Sequence, residues 1–187
     1  MSSMYVEKLF PNWSGQYDRM MRWYERFKEI DQGKKEEKPD FFHDHDIVYA
    51  FFQNCYHLKD WIINDPSVTL PKNDIENYID KTACLKLCSD IANGTKHLRL
   101  NKSRSGISPT IDPLRITWTQ LPNGKVKDYR IKYSIGTTSG YFDAFEIATQ
   151  CVQKWKEFID KYVTPATKKP SSSNNKTFTG LYVSGIG

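Results

Sequence analysis

His97 closes a run of short polar residues at helical spacing. Lys86, Ser89, Asp90, Asn93, Lys96 and His97 fall within about 100° of one another if a helix continues past Gly94. An imidazole changes charge near neutral pH, so His97 suits removal of a ribose 2′-hydroxyl proton. Asn93 would position the imidazole, and Lys96 would hold the phosphate and stabilise the charge that builds on its oxygens. Asp46, Gln53, His57 and Asp60 form a second stripe on a preceding helix. His57 and Asp60 are three apart and therefore neighbours on that helix surface.

The same residues admit other chemistry. His43, His45, Asp46, His57 and Asp60 are candidate ligands for a divalent metal that activates water. This reading ranks below the first, because metal-dependent phosphohydrolases draw their ligands from separated helices and here the His-Asp doublets are adjacent. Arg99, Lys102 and Arg104 form a small basic cluster that could grip phosphate or simply be solvated. Trp118 could stack a base, although on an amphipathic strand the core is its commoner place. Both polar stripes also admit a plain reading as solvated faces or as a structural hydrogen-bond network.

Periodicity predicts the elements that must hold these residues. Residues 14–30 form an amphipathic helix with Ser14 as its N-cap. Residues 44–64 form a second, with Ile47, Phe51, Cys55, Leu58 and Ile62 on one face and Asp65-Pro66 as its stop. A third helix starts near Asp74. Its apolar face switches sides midway, and Asn93-Gly94 marks a C-cap or an internal break. Residues 102–113 read as a loop. Alternating residues around Asn123-Gly124 predict a β-hairpin over about 114–135. A fourth helix covers about 141–162. The expected fold class is mainly α, an up-and-down four-helix bundle with an inserted β-hairpin, spanning residues 1–163. Residues 164–176 form a polar linker. Residues 177–187 regain apolar side chains and suit docking on a protein partner.

The 187 residues carry a net charge of +5. Lys168, Lys169 and Lys176 follow Thr164 without an acid, which leaves +2 for residues 1–163. The body is thus nearly balanced, and a phosphate-binding surface is allowed rather than demanded. No long uncharged apolar run predicts a membrane span, and the first residues lack the order of an export signal. A cytoplasmic protein with reduced, buried thiols at Cys55, Cys84, Cys88 and Cys151 is expected. Cys84 and Cys88 lie one turn apart and could share a metal, but no second close Cys or His pair joins them. No Walker loop, Gly-x-Gly-x-x-Gly fingerprint or Gly-x-Ser-x-Gly elbow occurs, so no cofactor and no metal are assigned.

The stretch Ala92-Asn93-Gly94-Thr95-Lys96-His97 resembles the active motif of the HEPN superfamily. These are helical bundles, many of them ribonucleases of defence and toxin–antitoxin systems. Asn93 and His97 match the motif's polar residue and histidine, while Ala92 stands in the place of its arginine. The resemblance implies RNA as partner, a homodimer with two motifs facing one cleft, and metal-independent cleavage. It implies Asn93, Lys96 and His97 as catalytic residues, with His57, Asp60, Asp90 and Arg99 in support. Members without activity bind nucleotides or partners, so a non-enzymatic partner-binding subunit is the alternative.

Overall fold

The computed structural model describes residues 12–35, 39–95, 103–138 and 140–164. Helix α1 spans Trp13–Gln32, α2 Phe41–Asn64, α3 Lys72–Lys81, α4 Ala83–Gly94 and α5 Ala144–Phe158, the last prolonged by a π-helical turn at Ile159–Val163. Strands β1 (Thr110–Gln120), β2 (Val126–Thr137) and β3 (Gly140–Asp143) form an antiparallel sheet in that order. The protein is mainly α. Among the described residues the expected four long helices and hairpin become five helices and a three-stranded sheet. No described helix is long and apolar enough to cross a membrane.

Caps account for the helix starts. Asn12, rather than Ser14, caps α1: its Oδ1 accepts from the Ser14 backbone N–H at 3.1 Å and from the Ser14 hydroxyl at 2.6 Å. Asp40 caps α2 by accepting from the His43 N–H at 3.0 Å, which starts that helix three residues earlier than its apolar pattern does. Asp65 ends α2 as expected. Its carboxylate then accepts from the Trp13 N–H at 2.9 Å and from the Ser67 N–H at 2.8 Å, tying the start of α1 to the end of α2.

The predicted third helix is two helices. Thr82 leaves helical geometry at φ −113°, ψ 106°, and its hydroxyl donates to the Tyr78 carbonyl at 2.7 Å. This break is the physical reason for the face switch in the sequence. Ile75 and Ile79 of α3 and Cys84, Leu87, Cys88 and Ile91 of α4 all reach the same core from differently directed helices. The fourth helix starts later than predicted. Residues 140–143 pair with β2, and Asp143 caps α5 by accepting from the Phe145 and Glu146 N–H groups at 2.8 and 2.9 Å.

The core lies between the helices and one face of β2. Phe27, Phe51, Phe52, Trp155, Phe158, Ile131 and Ile135 are fully buried, each worth about 1.5–3 kcal/mol of apolar transfer. The hairpin forms as expected, with Gly124 at φ +81°, a conformation that favours glycine. Its first strand is almost wholly exposed. Trp118 is 59% exposed, so the expectation that it belongs to the core is corrected. β1 is an edge strand, and the helices pack chiefly on β2.

The charged loop after α1 and the start of α2 serve the sheet. Asp44 is fully buried, accepts a hydrogen bond from the Tyr129 hydroxyl and pairs with Lys34 at 3.2 Å. Burial, and then Asp44, push the Tyr133 hydroxyl upward. His45 stacks on Tyr133 at 5.6 Å, with its Nε2 3.3 Å from the Ile111 carbonyl. Asp31 holds Lys132 of β2 at 2.7 Å.

Candidate functional site at the end of helix α4

Helix α4 carries the polar stripe inward rather than into solvent. Ser89 and Asp90 are each 1% exposed, and the Asn93 amide donates to the Ser89 hydroxyl at 3.4 Å. The reading of this stripe as a solvated face therefore fails at these two positions. Asp90 is the anchor. Its carboxylate accepts from the Ser103 hydroxyl at 2.8 Å, the Arg104 N–H at 2.7 Å and the Ser105 N–H at 2.7 Å. The Ser105 hydroxyl donates as well. A buried carboxylate needs such a full set of donors to offset its lost hydration.

The same end of α4 is also held from α2. The Gln53 amide donates to the Thr95 hydroxyl at 2.8 Å, and Thr95 in turn donates to the Ala92 carbonyl at 2.7 Å. Thr95 and Ser103 are the described residues on either side of 96–102, and both are fixed to the same end of α4. Lys96, His97 and Arg99 lie outside the described residues, as do Lys102 and the segment 177–187. His57 is half-buried on α2, one turn beyond Gln53. Asp60 is exposed and paired with Lys59 at 3.0 Å. It opens on a different surface cavity of about 340 Å³, lined by Asn12, Trp13, Trp61 and Asp65. Gln53 and Asp60 are seven residues apart, about 10 Å along the helix, so the structure brings Asp90 and Asn93 together and leaves Asp60 apart.

Arg104 corrects one expectation. Its guanidinium pairs with Glu76 at 2.9 Å and Asp80 at 3.1 Å, and sits 6.0 Å above the Tyr56 ring. Lys59 meets Glu76 from the other side at 3.1 Å. The guanidinium is thus engaged in fixing loop 103–105 to α3 and is not offered to a phosphate. Burial raises the Glu76 carboxyl, but hydrogen bonds from Arg104 and Lys59 outweigh it and hold the group below its ordinary range. Asp65 is lowered in the same sense by Ser67 and Trp13 against its burial.

A depressed carboxyl favours the folded state above its unfolded pKa, and that contribution disappears as pH falls through the folded value. Stability is therefore expected to hold above about pH 5 and to decline through about pH 4 and below. Denaturant midpoints across this range check it. Glu76→Gln should lessen the decline, and equal acid sensitivity in the two proteins contradicts the assignment.

The metal reading of the His-Asp stretch does not assemble. His43 and Asp46 are exposed, Asp44 is engaged by Tyr129 and Lys34, and His45 faces a carbonyl. Among the described residues the one metal-capable group is Cys55, Cys88 and Cys151, all buried, with sulfurs within 4.8 Å of one another. Sequence spacing found Cys84 and Cys88 but could not bring in residues 33 positions before Cys88 and 63 after it. No family model, curated protein or solved structure is significantly similar to this chain, so its chemistry is argued from its own residues.

Proposed function

We propose that this is a HEPN-like helical protein that cleaves or binds RNA, with its site at the C-terminal end of α4. The observation that carries the reading is the anchoring of the described residues on both sides of the stretch that holds Lys96, His97 and Arg99. Asp90 holds residues 103–105, and Gln53 holds Thr95. Flanks fixed on both sides of a site are the kind of support that preorganised acid–base catalysis needs. In this reading His97 takes the 2′-hydroxyl proton, Asn93 positions His97, and Lys96 and Arg99 bind the phosphate. His57 supports from α2. Arg104 is engaged elsewhere, so phosphate binding falls to the residues before it. A homodimer would pair two such sites, and a cytoplasmic defence or toxin–antitoxin setting fits the chemistry. The test is incubation of the full chain with labelled single-stranded RNA without added divalent ions. Cleavage leaving 2′,3′-cyclic phosphate ends is expected. The absence of both cleavage and RNA binding at low salt would contradict the proposal.

A second reading, a non-enzymatic partner-binding subunit, is favoured by β1 and would add to whatever residues 177–187 supply. Leu114 is 68% exposed and Trp118 59%, on a strand with an unpaired edge. Trp118→Ala is expected to change stability by less than about 0.5 kcal/mol while weakening self-association in sedimentation velocity. Unchanged association removes the support that β1 gives this reading.

A further inference from the structure

All four cysteines of the chain meet in the core from three helices. Cys55 comes from α2, Cys84 and Cys88 from α4, and Cys151 from α5. The sulfurs of Cys55, Cys88 and Cys151 lie within 4.8 Å of one another. Cys151 is the hub: it belongs to that group, and its thiol also donates to the Cys84 carbonyl at 3.4 Å. Every one of the four is a buried free thiol.

Packing alone explains this poorly. A buried Cys usually behaves as a small apolar residue, and four at one point give up branched side chains that would fill the space better. The S–H groups find only weak acceptors: Cys88 donates to the Phe52 carbonyl at 3.4 Å and Cys151 to the Cys84 carbonyl at 3.4 Å. Trp155 supplies an independent sign. Its indole is 1% exposed, and its Nε1–H has no hydrogen-bond partner among the described residues. A buried N–H without an acceptor is costly, and Trp155 lies one turn beyond Cys151 on α5. A metal-bound thiolate there would offer that donor a charged acceptor, which a neutral thiol does not.

We propose that Cys55, Cys88 and Cys151, with Cys84 as a fourth ligand, bind one thiophilic d¹⁰ metal ion, Zn(II) or Cu(I). Metal–sulfur bonds of about 2.3 Å place ligand sulfurs about 3.8–4.0 Å apart, so the Cys55, Cys88 and Cys151 sulfurs, within 4.8 Å of one another, must contract by about 1 Å at most, and Cys84 must turn in to join them. A disulfide needs sulfurs about 2.05 Å apart and would employ only two of the four. Each thiol that ligates becomes a thiolate and releases its proton to solvent, and the ion's charge is offset by the thiolates. The ion would staple α2, α4 and α5 together two residues before Asp90, so it would set the position of the α4 end without taking part in chemistry there.

The full chain is reduced, stripped of metal under denaturant and refolded, then titrated separately with Zn(II) and Cu(I). One ion per chain, a raised thermal midpoint and native thiols that stop reacting with a thiol reagent are expected. Co(II) should give the intense near-ultraviolet band of thiolate-to-metal charge transfer. Cys151→Ala removes the hub and should abolish binding of both ions. Cys84→Ala lies at the edge of the cluster and keeps the fold testable. It should weaken Zn(II), which prefers four ligands, by at least about tenfold and spare Cu(I), which accepts three. A folded, reduced wild-type chain that binds neither ion stoichiometrically overturns the proposal, as does binding that survives Cys151→Ala. No RNA enters these measurements, so their outcome is independent of the RNA reading.

Discussion

Asp90→Ala is expected to cost about 2–5 kcal/mol of stability, the cost of leaving two backbone N–H groups without an acceptor. Four donors converge on this carboxylate from Ser103, Arg104 and Ser105. Alanine would leave the Arg104 and Ser105 N–H groups without their acceptor at the end of a buried helix. Each such group costs about 1–3 kcal/mol when it stays dry. Asp90→Asn keeps the volume but offers one acceptor oxygen in place of two, so a smaller loss of about 1–3 kcal/mol is expected. Urea or guanidinium titration gives both values. A loss below about 1 kcal/mol for alanine would show that water replaces the carboxylate and that loop 103–105 is not held by it. Because the same contact anchors one flank of segment 96–102, Asp90→Asn should also slow RNA cleavage while the protein remains folded.

The second large effect belongs to His97→Ala. A positioned general base contributes about 10²–10⁴-fold to rate, so cleavage of single-stranded RNA should drop by that factor. Far-ultraviolet circular dichroism and the denaturant midpoint should match wild type, since the described core is built without this residue. His97→Gln, which keeps a hydrogen-bonding side chain but has no titratable group, should be nearly as inactive. Lys96→Ala and Arg99→Ala are expected to weaken RNA binding more than they change the cleavage step, and the salt dependence of binding should flatten with each lost phosphate contact. Wild-type rates in His97→Ala would remove the catalytic assignment and leave RNA binding or partner binding.

The helices were legible because their apolar positions recur at fixed spacing. Ile47, Phe51, Cys55, Leu58 and Ile62 are all buried as their spacing requires. Asn123-Gly124 located the turn because a positive φ is easiest at glycine. What escaped had no local signature. The break at Thr82 depends on one hydroxyl turning back to a carbonyl, and the sequence showed it only as a face switch. Strand β3 is four residues long and runs into α5, so its pattern was read as the helix start. Alternation on β1 resembles an amphipathic strand and points Trp118 to the core, yet the helices pack on the neighbouring β2 and leave β1 exposed. In the candidate site, Asp90 was found by its place in the stripe. Its partners Ser103 and Ser105 were not, because a loop of Ser, Gly and Pro gives no hint of the carboxylate it wraps. The cysteine cluster was hidden by distance along the chain, since only packing brings Cys55 and Cys151 beside Cys88.

Mapping where RNA touches the protein tests the central claim most directly. Photocrosslinking of a short uridine-rich RNA to the full chain, read by mass spectrometry, reports contact residue by residue. The account predicts crosslinked peptides covering 93–105, with His97 and its neighbours foremost, and loss of those crosslinks in competition with unlabelled RNA. Crosslinks confined to the β1–β2 hairpin around Trp118, or none at all under conditions where the protein is folded, would contradict it.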